Sequence, residues 1–261
     1  MKRDVNPKKF LGQHFLIDDN ISKKIVDNID FKKFQKVLEI GPGKGALTKH
    51  LLHIKDILTL IEVDNESVEF LNNEFIKEKL DIIEKDFLKF DMESAYPSEE
   101  NILIIGNFPY NISSQILFKS IDSYKSVKAI IGMFQKEVAE RIISKNNSKQ
   151  YGILSVKTQL FYDAKILFDV SPNVFFPKPK VNSAVISLTR KENINIDCDL
   201  KLLDRIIKLS FQHRRKKIKN SLKKLDIEEN ILEDSIFESR PEQLTIEEFV
   251  KLTKKISSGT I

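Results

Sequence analysis

The sequence has little with which to hold itself together covalently. Its 261 residues include one cysteine, Cys198, which excludes an internal disulfide, and no spaced Cys/His cluster suggests a zinc site. That fits a reducing, cytoplasmic setting. No apolar run approaches the roughly 18 residues that a membrane span needs. The basic start, MKRDVNPKKFLGQHF, is followed by no apolar segment of the kind a signal peptide carries, so it reads as an arm. Internal repeats and low-complexity linkers are also lacking. What is present is 41% apolar residues, enough for a sizeable core. The length suits one large α/β domain plus a smaller appendage.

The charge is modest in sum and uneven in place. The formal net charge is +5 and the isoelectric point about 9.0. Between His213 and Lys224 there are seven Lys/Arg and no acid. Such a cluster suits a polyanion, and equally a solvated helix face; composition leaves both open.

Along the chain, the arm (residues 1–17) leads to a helix over Asp18–Ile29, with Asp18 or Asp19 as its cap and Ile21, Ile25 and Val26 as its apolar stripe. Short apolar runs then alternate with helical patterns. Strands are expected at Lys36–Ile40, Ile57–Val63, Asp81–Ile83, Asn101–Ile105 and Val127–Phe134, and closing strands at Ala164–Val170 and Ala184–Leu188. Helices are expected at Ala46–Ile54, Ser67–Phe75, Ser113–Ile121 and Glu137–Ser144. Residues 151–162 fit either period, with helix the preferred reading. This alternation implies a mostly parallel, doubly wound, Rossmann-like α/β sheet. From Leu200 onward only helical spacing remains (Leu202, Leu203, Ile206, Ile207, Leu209). The expected division is therefore a first domain over 1–190 and a small all-helical domain over 191–261.

In doubly wound sheets ligands bind beyond the carboxyl ends of the strands. Glu39-Ile-Gly-Pro-Gly-Lys-Gly45 follows the first of these strands, and Gly41 and Gly43 permit a sharp turn and close approach of a ligand. The next strand ends in Glu62, 21 positions after Gly41, where an acid can bind both ribose hydroxyls of a nucleotide-like cofactor. Gly41-Pro-Gly43-Lys-Gly-Ala46 also satisfies a dinucleotide fingerprint, so the loop implies an adenosine-containing cofactor without choosing NAD or another. Asp86 can accept from an adenine amine and Phe87 can pack on its ring, although Asp86 alone also reads as a turn residue.

Asn107-Phe-Pro-Tyr110, after the fourth strand, selects the chemistry. An adenine amine is a poor nucleophile because its lone pair is delocalised into the ring. Two acceptors aimed at its hydrogens, the Asn107 side-chain oxygen and the Pro109 carbonyl, favour a pyramidal nitrogen whose lone pair faces a methyl group on sulfur. Proline fixes the backbone that presents the carbonyl. Tyr110 offers a flat face to an extruded base. No strong base is needed, since positioning carries the reaction. The competing reading is a rigid turn whose Asn caps the helix at Ser113. A dehydrogenase has no use for this tetrad, which decides against NAD.

With these motifs in order, the chain resembles the ribosomal RNA small-subunit adenine N6,N6-dimethyltransferases of the KsgA/RsmA type over nearly its whole length. The landmarks are Phe10–Leu16, Glu39–Gly45, Ile61–Asp64, Asp86-Phe87, Asn107–Ser113, Val174–Val181, Phe211–Lys217 and Asn220–Leu222. The resemblance implies a Rossmann-like methyltransferase domain and S-adenosyl-L-methionine as cofactor, with no metal. His14 and Leu16 would cover its methionine end, and Gly41, Glu62, Asp86 and Asn107 would complete its site. Phe175 would give the base a second aromatic face, and Arg214, Arg215, Lys216 and Lys217 would meet RNA. The implied product is dimethyladenosine at two adjacent adenosines in a 3′-terminal hairpin of 16S rRNA, made by a monomer on a pre-30S particle during small-subunit biogenesis. His14 stands where the arm usually has Asn, and Phe108 where Leu is usual; Phe108 reads as a packing residue. The alternative is a 23S rRNA adenine N6-methyltransferase of the macrolide-resistance type, which tends to carry Ser in the glycine loop and lacks Arg214–Lys217.

Overall fold

The structure, a computed structural model, describes residues 5–96, 100–194 and 196–258. Nine strands occur among them: β1 (Phe15–Leu16), β2 (Lys36–Ile40), β3 (Leu58–Glu62), β4 (Asp81–Glu84), β5 (Ile102–Asn107), β6 (Val127–Gln135), β7 (Tyr162–Val170), β8 (Phe175–Phe176) and β9 (Ser183–Arg190). Seven form one sheet in the order β4-β3-β2-β5-β6-β9-β7. The pairs β2–β3, β2–β5, β3–β4 and β5–β6 are parallel, and β9 runs antiparallel to β6.

The strand sequences explain the placement. Central strands are near-continuous Val/Ile/Leu runs because both faces are covered. Val37, Leu38, Leu60 and Ile102–Ile105 are essentially inaccessible, whereas the edge strand β4 is not fully buried. Strand order reverses between β2 and β5, and the loops after these two strands lie side by side at the topological switch point. The arm supplies β1, which pairs antiparallel with β8 outside the main sheet, matching Phe15 to Phe176 and Leu16 to Phe175.

Local signals set the helix ends. The first helix, Asp19–Asp27, is capped by Asp18, whose carboxylate accepts from the Ile21 amide at 3.1 Å. Residues Ile153–Phe161, ambiguous by period, are helical. The expected helix over Ala46–Ile54 shortens to Thr48–Leu51, continued by a tighter 3-10 segment over Leu52–Ile57 with non-helical backbone at Ile54.

By internal contacts the chain forms two compact units. One runs up to Ala139 and resumes at Ala164–Arg190; the other joins Glu140–Asp163 to the chain from Lys191 onward. This differs from a single cut after residue 190. The physical reason is that helix Ile153–Phe161 packs on helices Leu200–Gln212 and Ile246–Ser258. Tyr151 lies edge-on to Phe211 at 6.0 Å, and Lys157 pairs with Asp204 at 2.8 Å. The first four residues of the expected arm and the last three of the chain lie outside the described residues.

Candidate active site

The carboxyl ends of β2, β3 and β5, with the strand-like arm across them, enclose a cavity of about 990 Å³ including its mouth. Its walls include His14, Leu16, Gly41, Glu62, Asp86, Phe87, Asn107, Pro109 and Tyr110. The sequence-derived cofactor and catalytic residues are thus gathered in one place.

The glycine loop is shaped by sterics. Gly41 has φ +65°, and a Cβ there would meet nothing nearer than the Pro109 ring at 3.9 Å, so its backbone borders open cavity. Gly43 has φ +56°, and a Cβ there would come within 2.9 Å of the Phe15 ring in the arm. Glu62 is buried in the wall and accepts backbone N–H groups from Gly43 (3.0 Å), Val63 (2.8 Å) and Asp64 (2.9 Å). Burial raises its pKa, while those three donors act against the rise. A carboxylate offers about four lone-pair sites, so acceptor capacity remains for a ribose hydroxyl. Asp86 spends one oxygen on the Leu88 amide at 2.9 Å, capping a short turn, and borders the cavity together with the buried ring of Phe87. An open glycine backbone, a buried acid with spare capacity and an aromatic wall fit an adenosine-type cofactor.

Behind the loop lies a second buried acid. Glu39 is 1% exposed and accepts from the Thr48 hydroxyl at 2.8 Å. Burial, with the Glu62 charge adding to it, pushes its pKa up to about 8, the Thr48 bond opposing.

Asn107 sits at the end of β5. Its Nδ2 donates to the His14 carbonyl at 2.8 Å. A backbone carbonyl can only accept, so this contact fixes the amide orientation and leaves Oδ1 as the free end. Asn107 does not cap the helix Ser113–Asp122, whose N-cap residue is Ile112. The Pro109 carbonyl accepts from the Ile112 amide at 3.1 Å, leaving it one lone pair. Tyr110 is held through its hydroxyl by Ser183, and burial raises its pKa, keeping the phenol neutral. The His14 imidazole stacks on the Tyr110 ring, centroids 5.3 Å apart and planes 27° from parallel.

Phe108 is a packing residue. It is 1% exposed, lies edge-on to Phe134 at 5.2 Å, and fills a slot left by two glycines. A Cβ on Gly106 would approach its ring to 2.7 Å, and one on Gly132 to 2.2 Å.

Phe175 is placed differently from expectation. It is 3% exposed within the hydrophobic core, because its pairing with Leu16 turns the ring inward; the exposed aromatic there is its neighbour Phe176, at 59%. The basic segment also differs from a helix face. Helix Leu200–Gln212 ends at its cap His213, and residues 213–217 form a turn before the helix Ile218–Ser221. Arg214 is committed within its unit: it donates to the Ser148 carbonyl at 3.0 Å and lies 3.9 Å from Glu242. Lys217 pairs with Glu238 at 2.5 Å. Arg215 and Lys216 are exposed and have no ion pair among the described residues.

Sequence reasoning passed over two features. Val63 is 50% exposed and borders the cavity between two acids; an apolar residue just past a strand end was the signal. Asp64 is buried and holds Lys8 and Gln13 of the arm. A lone Asp opening a helix gives no hint of such distant partners.

A seven-stranded, mostly parallel sheet in which β9 runs antiparallel to β6, carrying an adenosine-type pocket at its switch point and an Asn-Phe-Pro-Tyr wall, defines a Rossmann-like methyltransferase that uses S-adenosylmethionine. Residues 5–257 match the family described as ribosomal RNA adenine dimethylase. A Flavobacterium johnsoniae protein named ribosomal RNA small subunit methyltransferase A is 51% identical over 257 residues, covering 98% of each chain. Its Parabacteroides distasonis namesake is 49% identical, covering 96% of this chain and 94% of that protein. A crystal structure of a Plasmodium falciparum dimethyladenosine transferase superposes with a TM-score of 0.80 at 25% identity, covering 94% of this chain and 98% of that one. A 23S rRNA methyltransferase structure at 23% identity (TM-score 0.66) shares the fold. The chain belongs to the ribosomal RNA adenine dimethylase family and is an S-adenosylmethionine-dependent rRNA adenine dimethyltransferase. Among the described residues no helix is long and apolar enough to cross a membrane, and no cluster of His, Cys, Asp or Glu could hold a metal.

Proposed function

We propose that this enzyme dimethylates the N6 amines of two adjacent adenosines in the 3′-terminal hairpin of 16S rRNA, acting as a monomer on a pre-30S particle. The observation that carries the chemistry is the fixed Asn107 amide, which gives its nitrogen to His14 and keeps Oδ1 for a substrate amine. The names of the relatives at 45–51% identity favour the small-subunit target over the 23S alternative.

S-adenosylmethionine, when bound, supplies an electrophilic methyl group on a positive sulfonium. Gly41, Glu62 and Asp86, with His14 and Leu16 of the arm, would hold it. Asn107 Oδ1 and the Pro109 carbonyl accept the two amine hydrogens of a flipped adenine, which opposes delocalisation of the nitrogen lone pair into the ring. Tyr110 stacks the base, worth about 1–3 kcal/mol. Because Tyr110 stays neutral and neither acceptor of the amine hydrogens, Asn107 Oδ1 or the Pro109 carbonyl, is a base, the amine proton leaves after transfer, once the nitrogen has become cationic. Arg215 and Lys216 meet phosphates. Arg214 braces the turn that carries them, and Phe176 stands nearer the surface than Phe175 as a second aromatic contact.

The test is methylation of a mixture of undermethylated small and large subunits with labelled cofactor. Wild type should yield dimethyladenosine; Asn107→Ala, at saturating cofactor, should lose about 10²–10³ in turnover, as for a removed transition-state hydrogen-bonding group. Label in large-subunit RNA alone, or near-normal turnover of the variant, refutes the proposal.

A further inference from the structure

The arm is fastened beside the cavity by one buried carboxylate. Asp64, 3% exposed at the start of the helix Asn65–Glu74, gives one oxygen to the Lys8 ammonium and the other to Gln13 Nε2, at 2.9 Å. Lys8 also lies 3.1 Å from Glu66, and its own amide donates to Gln13 Oε1 at 2.7 Å. The two arm residues and Asp64 therefore form a closed ring of hydrogen bonds. Ser67 adds a further donor to Asp64 at 3.1 Å. Burial alone would raise the pKa of Asp64, but the bonds from Lys8, Gln13 and Ser67 outweigh it and hold the carboxyl below its usual range.

The next residue after Gln13 is His14, whose carbonyl holds Asn107 and whose Nδ1 donates to the Pro177 carbonyl at 2.6 Å. Just before Gln13, Gly12 has φ +66° and packs so closely on Asn111 that a Cβ would come within 2.3 Å of its side-chain oxygen. Between these two fixed points the backbone has little freedom: displacing Gln13 must move the His14 carbonyl. Residues 11–16 also form one wall of the cavity.

We propose that Asp64 is a positioning residue that latches the arm through Lys8 and Gln13, and so sets both the seating of Asn107 and the rate of cofactor exchange. The effect on Asn107 rests on its role proposed above; the effect on exchange does not. The latch is an ion pair and a hydrogen bond to a buried carboxylate, so salt screens it little and removing either partner breaks it. Opening it frees the wall over the methionine end without disturbing the sheet.

Asp64 also caps a helix, so the test uses Lys8→Met and Gln13→Leu, which leave it in place. The chain has no tryptophan, and Phe10 is 78% exposed in the arm; Phe10→Trp therefore supplies a single fluorophore there. In this background, release of S-adenosylhomocysteine on dilution into excess sinefungin should quicken about tenfold in each latch variant, the scale of one hydrogen bond to a charged group. At saturating cofactor, single-turnover methylation should fall about fivefold in Gln13→Leu, with no further fall when Gln13→Leu is added to Asn107→Ala. Release rates within twofold of the parent, or losses that multiply in the double variant, overturn the latch. The release measurement needs no RNA, so its failure is distinct from a wrong substrate assignment, which shows as no methylation by the parent chain.

Discussion

Glu39→Gln should change how stability depends on pH more than it changes activity. Glu39 is 1% exposed, its carboxylate receives one hydroxyl from Thr48, and burial pushes its pKa up to about 8 from an ordinary 4.5. Below pH 4.5 the side chain is protonated in both folded and unfolded chains. Between pH 4.5 and 8 the folded chain keeps the proton that the unfolded chain has lost, so unfolding releases a proton. Stability then falls as pH rises, by about 1.4 kcal/mol per pH unit from this one group. At pH 7 the accumulated cost is about 3 kcal/mol relative to pH 4.5. Glutamine is nearly isosteric and does not titrate. Its amide carries a seating cost, but that cost is the same at every pH, so the slope is the quantity to read. Urea unfolding followed by far-ultraviolet circular dichroism at pH 5, 6, 7 and 8 gives that slope for both chains. The variant should gain on wild type steadily across this range and level off above pH 8. Parallel curves would refute the reasoning and mean that Glu39 is ionised in the folded protein.

Gly132→Ala places a methyl 2.2 Å from the Phe108 ring and should destabilise by about 1–3 kcal/mol; adding Phe108→Leu should recover part of that loss, as read by thermal melting. Gly41→Ala points its methyl into the cavity at φ +65°; it should cost about 1 kcal/mol of stability and weaken cofactor binding by calorimetry well beyond that strain. Arg215→Ala and Lys216→Ala should each lower the slope of log affinity for RNA against log salt by about one. Arg214→Ala should instead increase proteolytic cleavage near Ser148, whose carbonyl it holds.

The strands were legible because buried β-branched runs, broken by glycine and acid at their ends, have few other readings. Gly41, Glu62 and Asn107 could be placed at one edge from strand order alone, since all three lie at the carboxyl ends of parallel strands. Phe175 misled because adjacent aromatics alternate faces: which of Phe175 and Phe176 turns inward depends on pairing with residues some 160 positions away, and a local pattern cannot fix that register. Arg214 and Arg215 look equivalent in sequence, yet only one finds a carbonyl across the fold. The Asp64 latch was invisible for the same reason, its partners lying more than 50 positions upstream. The neighbours of residues 140–163 are not legible locally, because their apolar content suits any core; the aromatic pairing of Tyr151 with Phe211, and of Phe211 with Phe249 at 5.9 Å, decides which.

That discontinuity governs how the protein can be cut and how it is made. A fragment beginning at Lys191 would lack Tyr151 and the helix Ile153–Phe161, leaving Phe211 and the helix face they cover bare, and should be recovered as an aggregate rather than a folded module. During synthesis the same helix emerges some forty residues before the helix that covers it, Leu200–Gln212. Its apolar face waits through the making of β7, β8 and β9, so the helical unit closes late, after the seven-stranded sheet has all of its strands.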